Sequence, residues 1–345
     1  MRGPGQIFRT LTLAVMLITV GGFAAGAAPV EQDISFHGSG GGVIAGTLML
    51  PESAGDGRRV PAVLLMQGSG PTDRDGNQGP AFRPDLLRQL AQVLAEEDIA
   101  SLRFDKRGMH ANRSTLPARQ DELPAFFEWS AFVGDARQAF AFLTAHPTIA
   151  ANRVGVVAHS EGGLIALDMA ARYSPQPRAL VLTATAGRPV GQVIRDQLSA
   201  ALDRQQATEQ QRQFFLDADQ RIQAEILASG KVPANIPPGL AALYPSYAGS
   251  FLKSQLTLDP IVLAAKFKGP ILVIVGTADV QVSASRDAGR FAAALAQRKD
   301  GSEVLTPSGV SHNLKTVVNN DDPGVTGKLD SRVKDRIVRW LKSNL

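Results

Sequence analysis

The stretch that decides the fold runs from Val154 to Gly163 and has the sequence VGVVAHSEGG. An apolar run that reaches a serine between small residues and continues into helical sequence is typical of a nucleophile elbow, a sharp strand-to-helix turn. The serine of such a turn, here Ser160, adopts a strained backbone that exposes its hydroxyl, so the residues two positions away must be small. These are Ala158 and Gly162, so alanine replaces the first glycine of G-x-S-x-G. An ordinary strand–glycine–helix connection would give the same local pattern, and residues elsewhere must therefore support the prediction.

Short apolar runs alternate with segments of helical period along most of the chain. Strands that are apolar on both faces, separated by helices, predict an α/β domain with a mostly parallel central sheet and helices on both faces. The two opening strands, about 34–36 and Val43–Leu50, have no helix between them and should form an antiparallel hairpin. The further predicted strands are Ala62–Met66, Ala100–Phe104, Val154–Ala158, Leu180–Thr185, Ile271–Val275 and Glu303–Thr306.

Residues 188–260, which we call the cap segment, break this alternation. They show no convincing strand pattern, and the proline-rich run 232–238 follows a part rich in Gln, Ala, Asp and Arg. A structureless loop of this length is uncommon in a compact domain. We therefore predict a helical cap inserted into a single domain that spans residues 28–345. Within it, Phe214 and Phe215 would either line an acyl pocket or anchor the cap.

A serine hydroxyl is a weak nucleophile until an imidazole accepts its proton. Of the five histidines, His312 in the run GVSHN follows the last predicted strand. It is also the histidine that satisfies the chain order Ser…Asp…His. His159 adjoins Ser160, and its side chain is expected to point away from the hydroxyl. We predict that His312 is the general base.

The acid that orients this histidine should follow the preceding strand. Asp279 lies just beyond Ile271–Val275 and is the predicted third residue, because a carboxylate there would fix the imidazole tautomer and stabilise its protonated form. Asp287, on the next helix, is expected to be solvated or to cap that helix. Asp259, which precedes Pro260, is the weaker alternative.

An oxyanion hole needs two backbone N–H donors aimed at the developing negative charge. The residue after the nucleophile, Glu161, should supply one. The other should come from the loop after the strand Ala62–Met66, which has the sequence QGSGPTDRDGN over residues 67–77. Its glycines would let the backbone approach a substrate closely.

The elbow, the loop 67–77, the run LRFDKRG at 102–108, the run GTADVQV at 276–282 and Ser311-His312 together resemble bacterial α/β-hydrolases of the serine aminopeptidase (S33)/lysophospholipase-like esterase group. The resemblance covers nearly the whole chain after residue 27. It implies the α/β-hydrolase fold and a serine hydrolase with Ser160, Asp279 and His312 as the triad. By family position it also implies the Ser69 N–H as the first oxyanion donor. The Asp-Arg-Asp and Asp-Lys-Arg runs are expected to brace loops through ion pairs.

The resemblance implies hydrolysis of a small-molecule carboxylic ester, with short acyl chains expected, through an acyl-enzyme. An aminopeptidase with the same triad is the alternative; it would need acidic groups in the cap to bind a substrate amine. Asp217, Asp219 and Glu225 are candidates, but their spacing favours a solvated helix face. A non-catalytic cell-envelope binding protein on the same scaffold is the third possibility, and loss of a triad residue would be its sign.

Competing site motifs have weaker support, and we expect no cofactor and no metal. The run 40–45 formally matches a G-x-G-x-x-A dinucleotide signature, but a strand follows it instead of a helix. A calcium loop starting at Asp73 would place Pro84 where a bidentate glutamate is required. The chain also has no cysteine, which excludes thiol nucleophiles, thiolate zinc sites and disulfides.

Residues 1–27 have the features of a secretory signal peptide. Arg2 and Arg9 precede an apolar run at 11–20 and an Ala-Gly-Ala site at 25–27. The run is about half the ~20 residues that a bilayer span needs, so we predict cleavage, export to the periplasm or medium, and no stable membrane span. Cleavage removes two of the 36 Lys and Arg and none of the 32 Asp and Glu, so a net charge of +4 falls to about +2. The remaining basic residues are interspersed with acids, and we expect no nucleic-acid partner.

Overall fold

The computed structural model describes residues 28–319 and 321–345. The predicted signal peptide, residues 1–27, lies outside the described residues. Within them, the strands of the sheet are β1 Val30–His37, β2 Val43–Leu50, β3 Val60–Met66, β4 Ala100–Phe104, β5 Ile149–His159, β6 Leu180–Thr183, β7 Ile271–Ile274 and β8 Glu303–Leu305. Each of the strands expected from the apolar runs is present, with bounds that differ by a few residues.

The helices occupy the segments between and after these strands. Their bounds are α1 Leu86–Glu96, α2 Leu123–Phe126, α3 Trp129–Ala145, α4 Glu161–Arg172, α5 Val190–Arg204, α6 Glu209–Ser229, α7 Gly249–Thr257, α8 Pro260–Lys266, α9 Gly289–Leu295 and α10 Ser331–Asn344. Short 3-10 helices lie at Glu52–Asp56, His110–Thr115, Gln120–Glu122, Pro238–Leu240 and Ser246–Ala248, and a π-helical turn at Ala284–Ala288 precedes α9.

The strands form one sheet in the order β1-β2-β4-β3-β5-β6-β7-β8. The pairs β1–β2 and β2–β4 are antiparallel, and every pair from β4 to β8 is parallel. The opening hairpin and the mostly parallel sheet are therefore confirmed. In the parallel part, the carboxyl ends of the strands share one edge of the sheet, where ligand sites of α/β folds are formed.

Apolar side chains cover both faces of the sheet. Alternate residues of the central strands, such as Leu64 and Leu65 of β3, belong to two separate buried clusters. The first cluster contains residues of α3, α4, α8 and α9, and the second contains residues of α1 and α10. This alternation explains why the central strands are apolar at nearly every position.

The cap segment carries α5, α6 and α7 and has an apolar cluster of its own. The members of this cluster are Leu198, Leu202, Ala218, Ile222, Ile226, Leu240, Tyr244, Ala248 and Leu252. Phe251 of α7 packs against both this cluster and the main core. The helix α6 begins at a capping box, in which the Thr208 side chain and the Gln211 backbone N–H are paired. Over residues 28–319 and 321–345, we find no helix with the length and apolar character needed to cross a bilayer.

Candidate active site

Ser160 lies on the sharp turn between β5 and α4. Its backbone angles are φ 53° and ψ −123°, a strained conformation for a residue with a side chain. A Cβ atom at Gly162 would lie 2.6 Å from the Gln67 carbonyl oxygen, and one at Gly163 would lie 2.0 Å from the Thr185 hydroxyl oxygen. The turn therefore requires glycine at both positions. Ala158, which departs from the usual glycine, is completely buried and its methyl group fits.

The side chains of His312 and Asp279 form a close pair at the neighbouring strand ends. The distance from His312 Nδ1 to Asp279 Oδ2 is 2.8 Å, and the Asp279 side chain is fully buried. The backbone N–H groups of Gln281 and Val282 donate to Asp279 Oδ1 at 2.8 and 2.9 Å. These bonds fix the carboxylate so that it accepts from the imidazole.

The loop that carries His312 is tied to the turn that carries Asp279. The backbone N–H of Ala278 donates to the carbonyl of Val310 at 3.0 Å, and the N–H of Thr277 donates to the carbonyl of Pro307 at 3.0 Å. The Ser311 hydroxyl donates to the Gly324 carbonyl at 2.6 Å. The imidazole and the carboxylate are therefore held by the backbone around them as well as by their mutual contact.

His159 links the Ser160 turn to His312. Its ring is buried and meets the His312 ring edge to face, with 4.8 Å between the ring centroids. Burial, and then the neighbouring His312, lower the pKa of His159 well below its usual value, so this ring is uncharged at neutral pH. Among the described residues, no hydrogen bond joins the Ser160 hydroxyl to His312. Such bonds are often long in unliganded enzymes and shorten when substrate binds.

The loop 67–77 passes directly beside the serine. A Cβ atom at Gly68 would lie 3.1 Å from the Ser160 Cβ. The Thr72 hydroxyl donates to the Ser69 carbonyl at 2.7 Å, and the Gln67 side-chain amide donates to the Phe104 carbonyl at 2.8 Å. The expected bracing ion pairs are present as well: Arg74–Asp105 at 2.7 Å, Arg103–Asp75 at 2.7 Å and Arg107–Asp135 at 2.7 Å.

A cavity of about 400 Å³ opens where these elements meet the cap segment. Ser69, Ser160 and Glu161 are among its polar lining residues. The remainder of its wall is mostly apolar and comes from both regions: Met109, Phe127, Phe132 and Leu164 from the core, and Val190, Val193, Ile194, Leu243, Tyr247, Phe251 and Leu252 from the cap segment. An apolar cavity with a few convergent polar groups is typical of a small-molecule site.

Comparisons with known proteins show which proteins this chain resembles. A family model described as Serine aminopeptidase, S33, matches residues 85–231, a stretch that contains the Ser160 turn. Esterase EstD of Thermotoga maritima is 25% identical over 316 residues, which cover 90% of this chain and 67% of that esterase. The chain is thus similar to the serine aminopeptidase (S33) family and to an esterase.

Solved structures with the same fold include hydrolases of different kinds. The α/β hydrolase GrgF from Penicillium aligns with 91% of this hydrolase and 99% of its own chain, at 17% identity and a TM-score of 0.55. Dipeptidyl peptidase 4 of Porphyromonas gingivalis aligns with 92% of this hydrolase at 15% identity and a TM-score of 0.56. The present chain spans only 36% of that peptidase. These structures confirm the α/β-hydrolase fold. The family model and the esterase relative support a hydrolase of the esterase or peptidase type.

Two acidic residues of the hydrolase lie in environments that their sequence pattern does not predict. Asp287 was expected to be solvated or to cap a helix, but its side chain is completely buried and accepts from both Nε and Nη2 of Arg188 at 2.9 Å. Asp219 was expected on a solvated face, but it is 1% exposed and accepts a hydrogen bond from the Tyr244 hydroxyl. The solvated positions expected for the two residues were wrong because their partners are distant in sequence. Asp287 does accept from the Ser283 N–H at the start of the π-helical turn, as a capping residue would.

The other candidate residues, Asp259, Phe214 and Phe215, lie away from the triad and the cavity wall. Asp259 accepts from the Ile261 N–H at the start of α8 and pairs with Arg290 at 2.8 Å, whereas His312 contacts Asp279. Phe215 packs into the cap cluster and Phe214 is 54% exposed; neither lines the cavity. The two phenylalanines therefore belong to the cap surface and its packing. The part of the chain that the structure describes contains no cluster of three or more His, Cys, Asp or Glu side chains suited to a metal ion.

Proposed function

We propose that the hydrolase is an exported serine esterase that cleaves short-chain carboxylic esters through Ser160, His312 and Asp279. The observation that carries the proposal is the joining of two features: the strained Ser160 turn, and the 2.8 Å contact between His312 and Asp279. The ring contact between His159 and His312 brings these two features together.

In the proposed mechanism, Ser160 Oγ attacks the carbonyl carbon of the ester while His312 Nε2 takes its proton. This is the imidazole nitrogen that does not contact Asp279. The protonated imidazole is stabilised by the buried carboxylate, and the uncharged ring of His159 adds no opposing charge. The backbone N–H groups of Ser69 and Glu161 would donate to the carbonyl oxygen as it becomes negative.

The attack gives a tetrahedral intermediate, and collapse of this intermediate breaks the ester bond. The leaving alkoxide takes the proton from His312, and the acyl group remains on Ser160. A water molecule then gives a proton to His312 and attacks the acyl carbonyl. His312 returns that proton to Ser160 Oγ as the acyl–serine bond breaks, which releases the carboxylic acid and restores the serine. The adjacent cavity of about 400 Å³ would hold the acyl chain, and its apolar wall suits a hydrocarbon.

The charged groups of the cavity wall favour an ester over a peptide with a free amino terminus. Among the described lining residues, Glu161 carries a carboxylate, and Lys106 at 3.3 Å and Gln255 at 2.9 Å already occupy it. Arg188, also in the wall, is paired with Asp287 and Asp196. An aminopeptidase needs a carboxylate that is available to the substrate ammonium group.

A peptidase remains the second candidate because the matching family model is described as a serine aminopeptidase. Comparison of aminoacyl arylamides with nitrophenyl acetate and butyrate, at matched enzyme concentration, separates the two activities. We expect faster turnover of the esters. Faster turnover of the arylamides would favour the peptidase.

The triad is tested by turnover of nitrophenyl butyrate by Ser160→Ala and His312→Ala. Each variant should lower kcat by at least about 10⁴-fold while the fold is retained. His146→Ala is the matched control, since this histidine lies in a loop where its ring contacts the Thr148 hydroxyl. Retained turnover in Ser160→Ala or His312→Ala would contradict the assignment.

Export is proposed from the sequence of residues 1–27. The full chain expressed in a Gram-negative bacterium should be recovered from the periplasm or medium with its amino terminus near Ala28. Recovery of the full-length chain from the cytoplasm alone would contradict export without affecting the proposed chemistry.

A further inference from the structure

Lys106 is a buried cation beside the proposed oxyanion hole. It follows β4, is 6% exposed, and its ammonium has three acceptors. These are the Gly68 carbonyl at 2.6 Å, the Gly70 carbonyl at 3.1 Å and Glu161 Oε2 at 3.3 Å. An ammonium group has three N–H donors, so these acceptors account for all of them. Lys106 is thus occupied by the protein and has no free N–H for a substrate.

The three acceptors belong to the two parts of the chain that supply the proposed oxyanion donors. Gly68 and Gly70 flank Ser69, and Glu161 is itself the second donor residue. The Gly68 carbonyl and the Ser69 N–H belong to the same peptide unit. Because a trans peptide is planar, its C=O and N–H point in opposite directions. A cation that holds the Gly68 oxygen therefore also fixes the direction of the Ser69 N–H.

The ammonium has an electronic effect in addition to this geometric one. A positive charge at the Gly68 carbonyl polarises the peptide unit and makes its N–H a stronger donor in the dry interior. The expected benefit appears only when the substrate oxygen becomes negative, so it should lower the barrier without improving ground-state binding.

The cap segment reaches the same cluster through Gln255 of α7. The Gln255 side-chain amide donates to Glu161 Oε1 at 2.9 Å, while Glu161 Oε2 accepts from Lys106. Gln255 is buried, and its α7 neighbour Phe251 packs against Trp129 and Phe132. A continuous chain of polar contacts therefore runs from the cap segment to the loop 67–77.

We infer that Lys106 is a positioning residue that orients both oxyanion donors, and that Gln255 makes this orientation depend on the seating of the cap segment. The inference rests on the proposed function and goes beyond loop bracing. It assigns to Lys106 an effect on transition-state stabilisation that an ordinary structural ion pair would not have.

The test compares Lys106→Met and Lys106→Arg with Arg107→Met. Arg107 is buried like its neighbour, but its partners are Asp135, the carbonyls of Ser39 and Ala131, and the carbonyl of Phe126.

Lys106→Met should lower kcat for nitrophenyl butyrate by about 10- to 100-fold and leave KM within about threefold. Affinity for a butyl boronic acid, which forms a tetrahedral adduct with the serine, should fall by a similar factor. Lys106→Arg should recover most of the loss, and Arg107→Met should keep the wild-type kcat per folded molecule.

A second variant keeps the inference testable if Lys106→Met does not fold. Gln255→Leu leaves Lys106 in place and should lower kcat and boronate affinity by about three- to tenfold without changing the preferred acyl length. Unchanged boronate affinity in whichever variants fold, or an equal loss of kcat in Arg107→Met, would overturn the inference. If Ser160→Ala instead retains full turnover, the proposed function itself is wrong; if Ser160→Ala is inactive and the Lys106 variants are normal, only this inference fails.

Discussion

The central sheet and the cap segment bury apolar side chains in different ways. The sheet is covered on both faces by two large clusters, and its strand ends carry Ser160, Asp279 and His312. The cap segment has a small cluster of its own and contacts the core through side chains that include Phe251, Arg188 and Gln255. The difference indicates a division of roles: the sheet holds the chemistry in fixed geometry, and the cap segment shapes the cavity.

The largest expected effect comes from the acid at the sheet edge. Asp279→Asn replaces a carboxylate that accepts from His312 by an amide that can donate to it, which favours the wrong imidazole tautomer. We expect kcat to fall by about 10⁴-fold with a small change in KM. The measurement is the steady-state rate with nitrophenyl butyrate. Asp259→Asn is the control, and an equal loss in that variant would contradict the assignment of the acid.

Substitution of Arg188 tests the contact between the cap segment and the core. Arg188→Met leaves Asp287 buried without its cation, and we expect a loss of about 3 kcal/mol in the free energy of unfolding. Arg286→Met removes a cation that is half exposed and pairs with Asp196 at 2.8 Å, so it should cost no more than about 1 kcal/mol. Urea unfolding measures both values. Equal losses would show that the Arg188–Asp287 pair has no special role at this contact.

Phe251 tests whether the cap segment sets the acyl preference. Phe251→Ala enlarges the cavity, and we expect the ratio of kcat/KM for octanoate over butyrate nitrophenyl esters to rise by about tenfold. Phe214→Ala, in the same segment but outside the cavity wall, should leave the ratio unchanged. The same ratio in the wild type, Phe251→Ala and Phe214→Ala would show that Phe251 of the cap segment does not set the acyl preference.

The smallest expected effect concerns the start of α10, outside the cap segment. Asp330 caps α10, and its hydrogen bonds, chiefly with the Arg332 side chain, lower its pKa to about 2. A carboxyl with a lowered pKa stabilises the fold above its unfolded pKa, and this stability is lost as the pH falls from about 4 towards 2. Asp330→Ala should therefore cost about 1 kcal/mol at pH 7, and its difference from wild type should shrink over that range. Asp335→Ala, an exposed position on the same helix, is the control; an unchanged difference at pH 2 would contradict the cap assignment.

The sequence predicted the sheet more completely than the contacts around it. Apolar runs identify strands because both faces of this sheet are buried, and the turn at Ser160 follows from the small residues that its strained backbone requires. The burial of Asp287 could not be predicted, because Arg188 lies 99 residues away in the chain. The contact between His159 and His312 was missed for the same reason, because the two histidines are far apart in the chain.

The positions of Phe214 and Phe215 show a further limit of prediction from sequence. Periodicity places Phe214 and Phe215 on a helix but does not reveal which side of that helix faces the cavity. In the structure the cap segment's share of the cavity wall comes instead from α5, α7 and the turns before α7. Which residues reach a cavity depends on how helices pack against one another, and a pattern along one helix carries little of that information.

The most direct test of the division of roles is peptide mapping after exposure to a fluorophosphonate, a reagent that labels activated serines. We expect one adduct, on Ser160, in the wild type and in Phe251→Ala at comparable extent, and none in His312→Ala. An adduct on a different serine, or equal labelling of Ser160 in His312→Ala, would contradict the account in which His312 at the sheet edge activates the nucleophile.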